Sequence, residues 1–352
     1  MQSGYLVGII GGGQLGRMLA LAGYPLGLRF RVLDPKPDAP AGVVGEHIVG
    51  NYDDPEALQR LAAGAEVVTY EFENVPVDAA RLLSQTVPVF PPPAALATAQ
   101  DRLIEKQFFR DQGIPTATFV GVENRASFNA ALSRFGLPAV LKTRRMGYDG
   151  KGQMVIRSQD DGEQAWERFG GGAPLILESL VPFERELSLL AVRGRDGAIV
   201  FYPLIENTHR DGILHRSVAP APNLAPTLQG VAEGYATRVL HALDYVGVLA
   251  IEFFQFGGGL LANEMAPRVH NSGHWTIEGA ETSQFANHLR AILGWPLGPP
   301  APIGVSLMEN IIGSVPDVGD ILANPRSHLH LYGKSPRPGR KLGHITTRDY
   351  SP

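Results

Sequence analysis

The chain has 352 residues, of which 44% are hydrophobic and 19% charged, with a formal net charge of −4 and no cysteine. That length suits two or three cores rather than one. The composition excludes disulfides, a thiolate nucleophile and cysteine-ligated zinc; it also excludes non-specific nucleic-acid binding as the main task, and no apolar run is long enough to span a bilayer. The start, MQSGYLVGII, lacks a basic n-region and runs straight into glycines, so no secretory leader is expected and the compartment reads as cytoplasmic.

Residues 5–10 read as a short apolar strand, followed by Gly11-Gly12-Gly13-Gln14-Leu15-Gly16 and a helix from Arg17. The spacing of Gly11, Gly13 and Gly16 fits the dinucleotide fingerprint, and Asp34 closes the next strand, residues 30–33. Physically this says only that backbone N–H groups and a helix N-terminus can cradle a phosphate, so a dinucleotide and a monophosphate are both open. Strand 46–49, helix 55–63 and strand 67–70 extend the unit. Gln14 and Glu71 then fall at carboxyl ends of strands, where ligands bind in open α/β sheets. A solvated loop carboxylate is the competing reading for Glu71 and the preferred one for Glu73.

Pro88, Pro91, Pro92 and Pro93 mark a first boundary. A charged helix follows, in which Arg102 and Lys106 lie four apart; for Lys106 a solvated face is the preferred reading. Residues 137–142 form a strand that ends on Lys142. Next comes TRRMGYDGKGQ, residues 143–153, with Gly147, Gly150 and Gly152 beside Lys151 and two arginines. It is either a flexible cationic loop able to fold over phosphates or an ordinary hairpin. Strand 175–178 ends on Glu178, and Glu186 precedes strand 187–192. Carboxylates so placed can accept hydrogen bonds from a base amine and ribose hydroxyls. His209 is either a phosphate contact or an idle loop histidine.

After a helix at 228–243, residues 247–276 organise the rest. Two apolar runs, 248–256 and 260–263, flank Gly257-Gly258-Gly259 and predict a hairpin with a three-residue loop. Pairing Phe256 with Leu260 carries the register to Glu252 opposite Glu264. Opposed side chains sit about 4.5–5.5 Å apart at Cβ, so two carboxylates repel unless a cation lies between them. A hard divalent ion such as Mg²⁺ accepts one or two carboxylates plus substrate phosphates. A slipped register with one glutamate in solvent is the alternative. Arg268, His270, Asn271, Ser272 and His274 follow as a polar run where a site would sit. Beyond a helix at 283–293 and a proline-rich break at 295–302, the remainder reads as a small β-rich tail. Residues 326–348 of that tail hold six Lys or Arg and no acid.

Six stretches in order carry a resemblance: GGGQLGRM (11–18), DRLIEKQ (101–107), LKTRRMGYDGKGQ (141–153), THRDGIL (208–214), NEMAPRVHNSGHWT (263–276) and RPGRKLGH (337–344). Together they resemble the ATP-grasp superfamily and, within it, the 5-(carboxyamino)imidazole ribonucleotide synthase family of purine biosynthesis. The resemblance implies an α/β (α+β overall) ATP-grasp fold. Its parts would be a Rossmann-like domain at 1–93, a small lobe at 94–180, a large lobe at 181–298 and a β-rich C-terminal domain at 299–352. It implies a ligase that uses ATP to carboxylate 5-aminoimidazole ribonucleotide with bicarbonate, via carboxyphosphate. By motif position Arg102, Lys142, Gly147, Tyr148, Asp149, Gly150, Lys151, Gly152, Gln153, Glu178, Ser179, Leu180, Val181, Glu186, His209, Asn263 and Glu264 resemble nucleotide contacts. Glu252 and Glu264 resemble the ligands of Mg²⁺, for which Mn²⁺ is an alternative. Arg268, His270 and Lys341 are similar to catalytic positions at the bicarbonate end. Gln14, Leu15, Glu71, Tyr148, Asp149, Arg340 and Lys341 are similar to substrate positions, the basic tail suiting a 5′-phosphate. A homodimer is expected, with neither nucleic acid nor membrane as partner.

The chain departs from the family at two points. Many ATP-grasp enzymes carry an asparagine ligand two residues after the second glutamate, where this chain has Ala266; Asn263 is the substitute, though in a regular strand it would face away from Glu264. Family members also usually continue past the point where this sequence ends. Rival readings are an NAD-dependent oxidoreductase, a non-catalytic nucleotide-binding regulator, a formyl-phosphate-using relative and a biotin carboxylase.

Overall fold

The computed structural model describes residues 4–147 and 150–349, and their strands form three sheets. The first is parallel and built from β1 (Leu6–Ile10), β2 (Arg29–Asp34), β3 (Glu46–Val49) and β4 (Val67–Tyr70), in the order β3-β2-β1-β4. β1 and β4 are buried at every position, as continuous apolar strands of a covered parallel sheet must be. Their carboxyl ends, with that of β2, bring Gly11, Asp34 and Glu71 together.

The second sheet is antiparallel: β5 (Phe119–Val122), β6 (Ala139–Thr143), β7 (Gln153–Ile156) and β8 (Leu175–Ser179), in the order β5-β8-β6-β7. Two helices, Arg125–Phe135 and Gln159–Phe169, start on capping boxes made by Asn124 with Ser127 and by Ser158 with Asp161. They cover the face that carries Leu141, Leu175 and Leu177. Alternation along the strands therefore turns Val140, Lys142 and Glu178 to the opposite face.

The third sheet has nine strands. They are β9 (Arg185–Arg193), β10 (Ile199–Phe201), β11 (Ile205–Arg210), β12 (Ile213–Ala219), β13 (Gly247–Phe256), β14 (Gly259–Ala266), β15 (Ser306–Ile312), β16 (Ser327–Leu331) and β17 (Lys341–Arg348). The order is β14-β13-β9-β11-β12-β15-β17-β16, with β10 beside β9. The three tail strands are thus hydrogen-bonded onto β12 and lengthen the large-lobe sheet. Helix Pro226–Ala242 packs Leu228, Ala232, Ala236 and Val239 against Leu187, Leu189, Leu249 and Ile251. Helix Gln284–Leu293 covers the other face, against Leu190, Val192, Val248 and Ala250.

The β13–β14 hairpin corrects the expected loop. Phe256 pairs with Gly259, so the turn has two residues, Gly257 and Gly258, rather than three. Their φ values of 58° and 75° are the pair of positive angles that a type I′ turn needs. The outer half of the hairpin is therefore one residue out of the expected register, with Phe253 opposite Ala262. A β-bulge leaves Asn263 unpaired and takes up that residue, and Glu252 faces Glu264 as expected.

Candidate active site

One cavity of about 690 Å³ lies among the three sheets. Its lining includes Gln14, Leu15, Glu71, Arg102, Lys142, Gly147, Gly150, Gln153, Glu178, Ser179, Leu180, Val181, Glu186, His209, Glu252, Asn263, Glu264, Arg268, His270 and Lys341. Three sequence candidates are described but lie outside that lining: Lys151, Gly152 and Arg340. Gly152 packs on Thr143, and the Arg340 guanidinium donates to the Ser335 carbonyl at 3.0 Å. Tyr148 and Asp149 fall outside the described residues.

On the small-lobe side, Lys142 Nζ lies 2.9 Å from Glu178 Oε2, and Lys106 Nζ lies 3.5 Å from the same oxygen. Burial alone would raise the Glu178 pKa, but the two ammonium groups hold it down at about 2. Lys142, in the cavity lining, thus shares its carboxylate with the more deeply buried Lys106. Lys106 corrects the expectation of a solvated face: it is 1% exposed and also donates to the Thr116 hydroxyl at 3.0 Å. A charged residue on a helix looks the same in sequence whether it meets water or a buried acid. The helix Arg102–Asp111 starts on Asp101, whose side chain caps it and also grips Arg144 at 2.8 and 2.9 Å. That grip ties the strand before the glycine loop to the helix that carries Arg102.

Arg102 Nη1 donates to Glu264 Oε2 at 2.8 Å. Burial pushes the Glu264 pKa up, but Arg102 and Lys142 bring it below the usual carboxylate range. Glu252 differs: burial and then the neighbouring Glu264 charge push it up. Of the two facing carboxyls only Glu264 has a guanidinium partner, and the repulsion that raises Glu252 is what a bound cation would relieve. Asn263 adds a neutral donor. Because it sits on the bulge, it lines the same cavity as Glu264 instead of facing away, and its buried Oδ1 has no hydrogen-bond partner. Two carboxylates and one amide oxygen, all hard ligands, fit a small divalent ion that completes its shell on phosphate oxygens.

Deeper in, Arg268 Nε meets Glu73 Oε2 at 2.5 Å. Glu73 is therefore a paired carboxylate and not the solvated loop acid expected of it; Arg268, 195 residues away in sequence, gave no local signal. Burial and then the Arg268 charge push the His270 pKa down to about 3. The backbone of His270 is clamped by Gln284, which accepts from its N–H at 2.9 Å and donates to its carbonyl at 2.6 Å. His209 pairs through Nδ1 with Glu186 at 2.8 Å. Burial would lower its pKa, yet the Glu186 hydrogen bond and the nearby acids raise it.

The first glycine stretch is not open to a dinucleotide. Glu71 accepts the N–H groups of Gly13 and, at 2.8 Å, Gly16. Asp34 accepts from Gly12 N at 2.8 Å and from the Tyr52 hydroxyl at 2.8 Å. The donors that would cradle a pyrophosphate, and the acid that would meet a ribose, are thus spent on the chain itself. Gln14 faces the tail instead, bonded through Oε1 to Lys334 Nζ. Sequence reasoning did not single out Lys334; its only signal was membership of the acid-free basic run.

Comparison with known proteins agrees with this architecture. An ATP-grasp domain model matches residues 107–285, a ribonucleotide synthetase preATP-grasp domain model residues 5–100, and a phosphoribosylaminoimidazole carboxylase C-terminal domain model residues 306–351. The N5-carboxyaminoimidazole ribonucleotide synthase of Pseudomonas aeruginosa is 57% identical over 342 residues, 97% of this chain and 94% of that protein. The crystal structure of N5-carboxyaminoimidazole ribonucleotide synthetase from Thermus thermophilus superposes with a TM-score of 0.94 at 60% identity, covering 98% of this chain and 94% of that one. The Aspergillus clavatus N5-carboxyaminoimidazole synthase, solved with ADP and 5-aminoimidazole ribonucleotide, gives a TM-score of 0.91 at 33% identity over 99% and 94%. With three sheets, a glutamate hairpin and relatives matched over nearly their whole length, this chain belongs to the N5-carboxyaminoimidazole ribonucleotide synthase family of ATP-grasp ligases.

Proposed function

We propose that this chain uses ATP and bicarbonate to carboxylate the amine of 5-aminoimidazole ribonucleotide, in purine biosynthesis. The observation that carries the reading is the convergence, in one cavity, of the Lys142–Glu178–Lys106 cluster, the Glu252–Glu264 pair and the Arg268–His270 corner. Lys142 and Arg102 would hold the triphosphate, and Glu252, Glu264 and Asn263 would hold magnesium. When bound, that ion supplies neutralisation of the phosphate charge. Arg268, fixed by Glu73, presents a cation to bicarbonate. A bicarbonate oxygen attacks the γ-phosphorus and the bond to the β-phosphate oxygen breaks, leaving ADP and carboxyphosphate. Carboxyphosphate then breaks down to phosphate and CO₂, which the amine takes up with loss of a proton. Water would destroy the anhydride, so a buried corner serves the chemistry. Lys341 in the lining, with Lys334 and Arg340 near it, makes the end suited to the ribonucleotide 5′-phosphate. A homodimer in the cytoplasm completes the reading; none of the described helices is long and apolar enough to cross a membrane. Light scattering tests the dimer.

The decisive assay follows ADP release with ATP and magnesium while bicarbonate and the ribonucleotide are added separately and together. Release that depends on both supports the reading. Release that ignores the ribonucleotide, or that needs formate or biotin instead, overturns it.

A further inference from the structure

His270 caps a single 3-10 turn, Asn271–Gly273, and its ring lines the cavity. Nδ1 receives the backbone N–H of Ser272 at 3.3 Å and lies 2.9 Å from the Ser272 hydroxyl. A backbone amide can only donate, so Nδ1 presents a lone pair and the ring proton sits on Nε2. That single assignment fixes a chain of others. Ser272 Oγ must turn its one hydrogen to Nδ1, because otherwise two lone pairs face each other. Ser188 Oγ, 2.9 Å away, must then donate to Ser272. Having spent its hydrogen, Ser188 needs a donor, so Asn207 turns Nδ2 to it at 2.8 Å. Asn207 Oδ1 is left to accept from the Ser217 hydroxyl at 2.7 Å.

Ser217, Ser188 and Ser272 are fully buried and Asn207 is 5% exposed, so no bulk water competes for these groups. Reversing any link would strand a buried hydrogen or face lone pair against lone pair. The relay crosses β12, β11 and β9, and Ser188 stands directly opposite Glu252 in the β9–β13 register. It therefore runs along the sheet face that carries the carboxylates. At its far end His270 Nε2 lies 3.6 Å from Glu252 Oε1.

We propose that the relay Ser217–Asn207–Ser188–Ser272 fixes His270 as an Nε2–H donor facing the cavity. His270 thus offers a hydrogen bond through Nε2 to the anion beside Arg268, and Ser188 and Asn207 are its positioning residues. The nature of the anion, bicarbonate or its phosphate anhydride, rests on the proposed function; the direction of the relay does not.

Nuclear magnetic resonance of the ligand-free chain with nitrogen-labelled histidine reads the tautomer directly, with His270 assigned by loss of its signals in His270→Gln. The expected spectrum has a bare Nδ1 and a protonated Nε2, and the opposite pattern overturns the proposal. Glutamine keeps an N–H near the Nε2 position, whereas asparagine puts its amide near Nδ1. His270→Gln should hold kcat within about ten-fold of the wild type, and His270→Asn should fall at least about ten-fold further. Equal losses would overturn the donor role. Asn207→Asp offers only acceptors, so Ser188 turns its hydrogen away from Ser272 and the His270 nitrogens move toward a mixed tautomer. Ser188→Ala breaks the same link without adding charge, and unmoved nitrogen signals in a folded form of either variant would overturn the relay. A chain that fails the bicarbonate and ribonucleotide assay but shows the expected spectrum loses the function and keeps the relay.

Discussion

The two glycine-rich stretches, Gly11 to Gly16 and Gly147 to Gly152, look alike as strings of letters and end in opposite circumstances. Around the first, the chain turns its own acids inward: Glu71 takes the N–H groups of Gly13 and Gly16, and Asp34 takes that of Gly12. Around the second, cations stand beside the described residues, each already shared with an acid of the fold. Arg102 lies against Gly147, and Lys142 leaves the strand just before the loop. Glycine makes N–H groups approachable in both places. What decides whether a phosphate binds is the sign of the charge that the rest of the fold brings alongside, and part of that charge, Glu71 and Asp34 at the first stretch and Arg102 at the second, comes from residues distant in sequence.

The largest test concerns the end of the cavity that the second stretch shares with the carboxylate pair. Glu264→Gln or Glu252→Gln keeps the fold but removes one of two metal charges, and turnover should fall by about a hundred-fold or more. Near-native kcat at ordinary magnesium in both variants would remove the metal from the hairpin. Next, Glu71→Gln should show that the first stretch is filled by the chain. An amide can offer only one acceptor to two N–H groups, and a buried donor left unpaired costs about 1–3 kcal/mol. Its melting temperature should drop by several degrees, and NADH should not raise the melting temperature of the wild type. A clear rise with NADH would collapse the contrast between the stretches.

A smaller effect concerns the ligand that approaches the first stretch from its side. Burial, opposed by Glu71 but aided by Arg340 and Lys341, lowers the Lys334 pKa to about 8. Its charge is therefore lost as pH rises through that value, and the KM for the ribonucleotide should rise several-fold over about one pH unit above it. Lys334→Arg should flatten that rise, and an unchanged profile would separate Lys334 from the phosphate. The smallest signal is dynamic. Amide exchange across Gly150 to Gln153 should slow when Mg-ATP is added, while exchange at Gly12 to Gly16 stays as it was. Equal slowing at both would mean that the contrast is wrong.

The pairing of Glu252 with Glu264 was legible because a hairpin's register ties distant positions together by counting. The count itself was off: a two-residue turn and the bulge at Asn263 cancel, and neither leaves a mark that propensity can read. The cancellation also hid the reorientation of Asn263. The parallel strands and the glycine turn were legible from apolar runs and spacing. Lys106 and Glu73 were misread for a common reason. Each has a partner more than 70 residues away, Glu178 for one and Arg268 for the other, and a charge whose partner is supplied by a distant segment looks solvated from its own neighbourhood. The Ser188, Asn207 and Ser217 relay was invisible, since three small polar residues on three strands carry no pattern until the register sets them side by side.

The continuity of the third sheet acts as a ruler. Glu264 sits on β14 at one edge and Lys341 at the start of β17, next to the other edge, and hydrogen-bonded strands fill the span between them. On the proposed assignment, the spacing from the phosphate-donating end to the acceptor end is therefore set by one continuous sheet. Lys142 and Gln153 belong to the second sheet, so a hinge between the lobes would change the headroom over the reactants without altering the distance between them.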